Sequence, residues 1–118
     1  MATIALTEQT IDAAIEGDGI TLIDWWASWC GPCRAFAPVY EAASERHSDI
    51  VFAKIDTEAE PALSRNAQIT SIPTLMIFRD GYLVYSRPGA VPPQTLEQLI
   101  EAVEALDMDE VRAAAQEG

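Results

Sequence analysis

Asp24-Trp25-Trp26-Ala27-Ser28-Trp29-Cys30-Gly31-Pro32-Cys33-Arg34 joins two different hydrophobic patterns. The residues leading into it, Ile20–Trp26, form a nearly continuous apolar run, as expected of a parallel strand covered on both faces. Beyond it, Phe36, Val39, Tyr40 and Ala43 recur at helical spacing, and the pattern continues to about His47. The stretch is therefore a strand-to-helix junction with two cysteines, two residues apart, at the turn. Cys30 would lie at the helix N-terminus, where unpaired N–H groups and the positive end of the dipole favour a thiolate. Cys33 would lie nearly one turn further in and be more shielded. Arg34 adds a positive charge beside the pair. Two such thiols are unequal, one suited to attack and the other to resolution, and together they can close a small disulfide ring. Gly31 and Pro32 shape the loop, and Pro32 removes one N–H from those facing the sulfurs.

Outward from this junction the pattern alternates. Thr3–Leu6 reads as a short strand, and Thr7 as the cap of a helix to about Glu16 with Ile11, Ala14 and Ile15 on one face. Gly17-Asp18-Gly19 ends that helix. Pro38 interrupts the helix after the cysteines and removes one backbone donor. Ile50–Ile55 reads as a second apolar strand, and Pro61 opens a short helix to about Asn66. Thr74–Phe78 and Tyr82–Ser86 are strands joined by a hairpin at Asp80-Gly81. Pro92 and Pro93 open a last long helix whose stripe is Leu96, Leu99, Ile100, Val103 and Leu106. From Asp107 the chain either continues that helix or starts another capped by Asp107 or Asp109. Met108, Val111 and Ala115 are at helical spacing and are expected to pack on the domain, the alternative being an interaction segment. The order β-α-β-α-β-α-β-β-α predicts an α/β fold, a central mixed five-stranded sheet with helices on both faces.

The 118 residues suit one domain, and 49% hydrophobic residues are enough to form a core. With 19 acids against 7 bases, the net charge of −12 disfavours nucleic acid and anionic membrane surfaces as partners. No apolar run reaches the ~18 residues of a membrane span. The N-terminal residues lack a basic region followed by a long apolar one, so the expected location is cytoplasmic. Two cysteines are too few for a disulfide framework. A Cys-x-x-Cys pair is also half of a zinc site, but only His47 and carboxylates are available to complete it. Two inert buried thiols are the other alternative.

Two charges interrupt apolar strands. Asp24 follows Ile20-Thr21-Leu22-Ile23, and burial there would raise its pKa. Lys54, the sole lysine, stands between Val51-Phe52-Ala53 and Ile55. If the two strands are adjacent and parallel, Asp24 and Lys54 can approach one another, either as a satisfied polar pair or as a proton exchanger for the buried thiol.

Trp29-Cys30-Gly31-Pro32-Cys33 resembles the active-site motif of thioredoxins. The resemblance extends from Thr3 to about Leu106 and includes Leu22-Ile23-Asp24, Pro38, Ile72-Pro73-Thr74, Asp80-Gly81 and Gly89-Ala90. It implies a thioredoxin domain over residues 1–106, with 107–118 as an acidic helical extension of the same domain. It also implies a reductase of protein disulfides acting through Cys30 and Cys33 and contributing to cell redox homeostasis. Asp24 would assist deprotonation of Cys33. Gly31, Pro32, Lys54 and a cis Pro73 would tune the pair. Trp29, Ile72, Gly89 and Ala90 would hold substrate, the Ile72 backbone pairing with an extended chain. No bound cofactor or metal is implied; electrons would come from NADPH through a flavin-dependent thioredoxin reductase. The expected partners are that reductase and disulfide-containing proteins, and the expected state is a monomer. Trp25, Arg34 and Ser71 depart from the common phenylalanine, lysine and glycine. A disulfide isomerase or oxidase, and a non-redox binding module on the same fold, are the alternative functions.

Overall fold

The computed structural model describes residues 2–117. Its elements are β1 (Thr3–Ala5), α1 (Ile11–Glu16), β2 (Ile20–Trp26), α2 (Gly31–Arg46), β3 (Val51–Asp56), α3 (Pro61–Asn66), β4 (Thr74–Arg79), β5 (Tyr82–Pro88), α4 (Pro93–Glu104) and α5 (Met108–Glu117). The five strands form one sheet in the order β1-β3-β2-β4-β5. Strands β1, β3 and β2 are parallel, while β4 runs antiparallel to β2 and β5 antiparallel to β4. The mixed sheet read from the sequence is the one observed.

Strand β2 occupies the centre because its run is apolar on both sides. Successive side chains alternate between sheet faces. Leu22, in register with Phe52 and Ile77, packs toward Phe36, Tyr40, Leu96 and Ile100 of α2 and α4. Ile23 and Trp25 face the other way with Ala53, Ile55 and Met76, against α1 and α3 residues including Ile11, Ile15 and Leu63. Each fully buried aliphatic or aromatic side chain in these layers contributes roughly 1.5–3 kcal/mol.

Several boundaries differ from the sequence reading. Thr7 does not cap a helix. Its hydroxyl accepts from Gln9 N at 3.2 Å, and Thr10 Oγ1 accepts from Thr7 N at 2.9 Å, so residues 7–10 form a turn and α1 starts at Ile11. Ile50 lies outside β3; its N–H bonds to His47 O at 3.1 Å in the loop leaving α2. Strand β3 runs on to Asp56, β4 to Arg79 and β5 to Pro88.

Leu106 is exposed rather than part of the α4 stripe. Helix α4 stops at Glu104 because Arg79 Nη1 takes the carbonyls of Val103, Glu104 and Leu106 at 2.8–3.1 Å. A separate α5 follows. Asp107 Oδ1 accepts from Asp109 N at 3.0 Å and Glu110 N at 3.4 Å, which satisfies first-turn donors. Met108 is buried and Val111 half-buried, but Ala115 is exposed, so the apolar face of α5 packs through its first turns only.

The C-terminus of α2 is tied to α4. Glu97 accepts from Arg46 Nη2 at 2.8 Å and lies 2.8 Å from His47 Nε2. The Arg46 hydrogen bond, with a smaller contribution from His47, holds the Glu97 carboxyl below its ordinary value of 4.5. A carboxylate depressed in the folded state stabilises the protein above its unfolded pKa and loses that effect as pH falls through the folded one. Glu97→Gln is therefore expected to destabilise the protein at neutral pH by up to about 1 kcal/mol. In urea melts the difference between wild type and variant should vanish in strong acid. A difference that persists there would assign the effect to packing.

Candidate functional site

Strand β2 ends at Trp26, and the loop that follows is held at both sides. Cys30 N bonds to Ala27 O at 3.2 Å, while Thr57 N and Oγ1 reach Trp26 O at 2.9 and 3.0 Å. Cys30 is the N-cap residue of α2 in extended conformation, with φ −84° and ψ 114°. Its carbonyl takes the first helical bond, from Arg34 N at 3.1 Å. Its sulfur sits where a capping oxygen would otherwise sit: Cys33 N donates to Cys30 Sγ at 3.2 Å. Pro32 has no N–H, so the Cys33 N–H is the donor the helix start aims at that sulfur.

Cys30 and Cys33 are joined in a disulfide, with Cα atoms 5.2 Å apart, within the ordinary range for such bonds. In this oxidised state both residues are enclosed, Cys30 at 5% and Cys33 at 3% exposure. The contrast in shielding read from the sequence is thus small while the two sulfurs are bonded to each other. What distinguishes them is the environment: Cys30 Sγ faces the helix N-terminus and lies 3.8 Å from Ile72 O.

The Ile72–Pro73 peptide is cis. Pro73 O accepts from Gly89 N at 2.7 Å, which draws the loop after β5 to the same end of the sheet. Gly89 has φ 107°, a conformation costly for any residue with a Cβ. Trp29, Gly31, Pro32, Gly89 and Ala90 are exposed and Ile72 is half-buried. Trp29 is 64% exposed, and its Nε1 donates to Glu58 Oε1 at 3.3 Å. Glu58 escaped the sequence reading because only the return of the β3 loop onto Trp26 brings it there. A groove of about 320 Å³ lies elsewhere, at the β1 edge between Thr3–Thr7, Trp26, Lys54 and Asp56. At the cysteines the exposed residues Trp29, Gly31, Pro32, Gly89 and Ala90 leave the backbone around Ile72 within reach of solvent.

Asp24 is 1% exposed. By alternation it shares the sheet face of Leu22, toward the stripe of α2 that begins at Cys33 and continues through Phe36 and Tyr40. Burial raises its pKa from 3.8 to about 6, opposed by the charge of Lys54. Asp24 and Lys54 are direct partners across β2 and β3, as the sequence suggested. They do not form an ion pair. Neither Asp24 oxygen has a hydrogen-bond partner, and Lys54 Nζ instead lies 5.0 Å from the Trp26 ring centroid. Half-buried, the ammonium keeps part of its hydration and a favourable aromatic face, which burial against the carboxylate would forfeit. Tyr40, read from the sequence only as part of the α2 stripe, is fully buried and donates to Ala53 O at 2.8 Å. Trp25 faces the opposite layer and takes no part in the site.

Among the described residues, no group of three or more His, Cys, Asp or Glu is arranged to hold a metal. His47 instead contacts Glu97 and stacks on Phe52 with centroids 6.3 Å apart. Among the same residues no helix is long and apolar enough to cross a membrane.

The thioredoxin family model matches residues 2–102. A Streptomyces coelicolor protein named "Putative thioredoxin 2" is 48% identical over 98% of this chain and 87% of its own length. The thioredoxin of Alicyclobacillus acidocaldarius is 42% identical over 81% of this chain and 92% of its own. A solved structure of a mutant thioredoxin from Halobacterium salinarum NRC-1 superposes with a TM-score of 0.80 at 33% identity, covering 89% of this chain and 93% of that one. A bonded cysteine pair capping the helix that leaves a central strand, in a chain so closely related to these proteins, makes this a member of the thioredoxin family and a thiol–disulfide oxidoreductase that reduces protein disulfides.

Proposed function

We propose that Cys30 attacks and Cys33 resolves. In the reduced protein the Cys30 thiolate attacks one sulfur of a substrate disulfide, forming a mixed disulfide and releasing the other substrate sulfur as a thiolate. Cys33 then gives its proton to Asp24 and attacks Cys30 Sγ. The Cys30–Cys33 disulfide closes and the second substrate sulfur leaves. Two electrons pass from the dithiol to the substrate disulfide. The observation that carries this assignment is the Cys33 N–H aimed at Cys30 Sγ at 3.2 Å, since the same donor and helix terminus favour negative charge on that sulfur.

Asp24 suits the acceptor role because a buried carboxyl with a pKa of about 6 releases and takes up protons near neutrality. Gly31, Pro32, Lys54 and Pro73 tune the pair. Trp29, Ile72, Gly89 and Ala90 form the surface on which an extended substrate segment lies, contacts that demand little of its sequence. Electrons return from NADPH through a flavin-dependent thioredoxin reductase, and the chain itself carries no bound cofactor. It acts as a cytoplasmic monomer. Residues 1–106 are the thioredoxin domain and 107–118 an acidic extension of it that packs through Met108 and Val111; Met1 and Gly118, the outer limits of that division, lie outside the described residues.

A coupled insulin-reduction assay with NADPH and a thioredoxin reductase tests the roles of the sulfurs. Cys30→Ser should be inactive, and Cys33→Ser should react once and accumulate mixed disulfides. Equal, peptide-like alkylation rates for the two thiols of the reduced protein would overturn the assignment.

Asp24→Asn separates stability from activity. A carboxyl whose folded pKa is raised binds its proton more tightly when folded, so folding stability falls as pH rises from 3.8 through about 6. Removing the charge should stabilise the protein at neutral pH by up to about 3 kcal/mol and leave little difference in acid. The same change should slow resolution of the mixed disulfide and abolish the decline in that step below about pH 6. Unchanged resolution kinetics in this variant would remove Asp24 from the mechanism.

A further inference from the structure

Of the seven bases, four are engaged. Arg46 pairs with Glu97, Arg79 caps α4, Arg112 lies 3.3 Å from Asp80 and 3.5 Å from Asp109, and Lys54 sits over Trp26. Arg34, Arg65 and Arg87 have no side-chain hydrogen bond or ion pair among the described residues, and all three are exposed. That is unexpected where acids outnumber bases 19 to 7.

Two of these three stand in the segments that lead to the disulfide. Arg34 follows Cys33 in the first turn of α2, with its N–H on Cys30 O. Arg87 is in register with Leu75 at the end of β5, two residues before Gly89, whose N–H holds Pro73 O. Pro73 in turn follows Ile72, whose carbonyl lies 3.8 Å from Cys30 Sγ. Arg34 thus starts the α2 side of the disulfide, and Arg87 leads into the β5 loop that is tied to Pro73. The carboxylate bound at this face, Glu58, is engaged with the Trp29 indole. Arg65, by contrast, stands on α3, in the layer across the sheet from α2.

We propose that Arg34 and Arg87 form a docking pair for acidic side chains flanking the disulfide of a protein substrate. The proposal rests on Cys30 as the attacking sulfur and adds a preference that the apolar contacts around it do not supply. The pair works at short range. The net charge of −12 repels an acidic partner at a distance, but at about 0.15 M salt the screening length is near 8 Å, so the charges at the face itself decide the encounter. An arginine without an intramolecular partner needs no bond broken before it meets an incoming carboxylate.

The test uses the full chain, reduced beforehand and freed of reductant, in single-turnover oxidation at about 0.15 M salt. The probes are three peptides with one disulfide loop, flanked by Glu, by Gln or by Lys. The readout is the ratio of the second-order rate constants for the Glu- and Lys-flanked peptides, in which any effect of Arg34 on the thiolate cancels. The double variant Arg34→Gln/Arg87→Gln should lower this ratio about fivefold, as expected for two exposed ion pairs, and Arg87→Gln alone should lower it measurably. Arg65→Gln should leave it unchanged. An unchanged ratio in the double variant, or an equal fall in Arg65→Gln, overturns the docking pair while leaving Cys30 in place. If the Gln-flanked peptide does not oxidise the wild-type dithiol at all, the assignment of Cys30 falls and the docking pair with it.

Discussion

Helix α2 has to begin where the central strand ends, and the rest of the molecule is arranged around that constraint. Cys30 closes the loop after β2, caps α2 and provides half of the disulfide. A strand bonded to neighbours on both sides is a rigid base for such a junction, and β2 is bonded to β3 and β4 along its length. The same order brings the start of β4 and the end of β5 to that end of the sheet. Ile72, distant in sequence, therefore brings its carbonyl within 3.8 Å of Cys30 Sγ, and Gly89 bonds to the adjacent Pro73. The site is built from three loops but inherits its geometry from strands.

Asp24 shows the tension this arrangement creates. A carboxyl at 1% exposure with no hydrogen-bond partner disfavours the ionised folded protein, and the core around it supplies no compensation. Lys54 opposes the shift electrostatically but stays over Trp26 instead of closing an ion pair. A tight buried pair would hold the carboxylate permanently charged and unable to exchange a proton near neutrality. Leaving the two groups apart keeps Asp24 responsive, at a cost in stability that the two hydrophobic layers absorb.

Much of this was legible in the sequence. The run Ile20–Trp26 and the helical spacing of Phe36, Tyr40 and Ala43 gave the junction its correct limits, because burial periodicity is a local property. Pro61 and Asp80-Gly81 marked a helix start and a hairpin through backbone preferences equally local, and Asp80 and Gly81 have the positive φ values of 52° and 87° that such a turn requires. Errors arose where one local motif displaced another or where a distant group decided. Thr7 had the chemistry of a cap, yet used its hydroxyl within a turn. Leu106 continued a periodic stripe that Arg79, from a neighbouring strand, cut short. The register of Asp24 with Lys54 could be anticipated, but the placement of the ammonium over Trp26 could not, since it balances hydration against burial.

Local sequence by itself determined the two sulfurs' spacing, the strand before them, the helix after them and the family to which the chain belongs. Tertiary structure alone decided which groups meet: the Ile72 carbonyl near Cys30, Glu58 on Trp29, Tyr40 on Ala53, and Arg34 and Arg87 left without side-chain partners among the described residues. The physical reason is that backbone dihedrals and burial periodicity are set by neighbours along the chain. Strand order, register and the competition among charges for partners are settled only when separate segments compete for the same core and the same solvent.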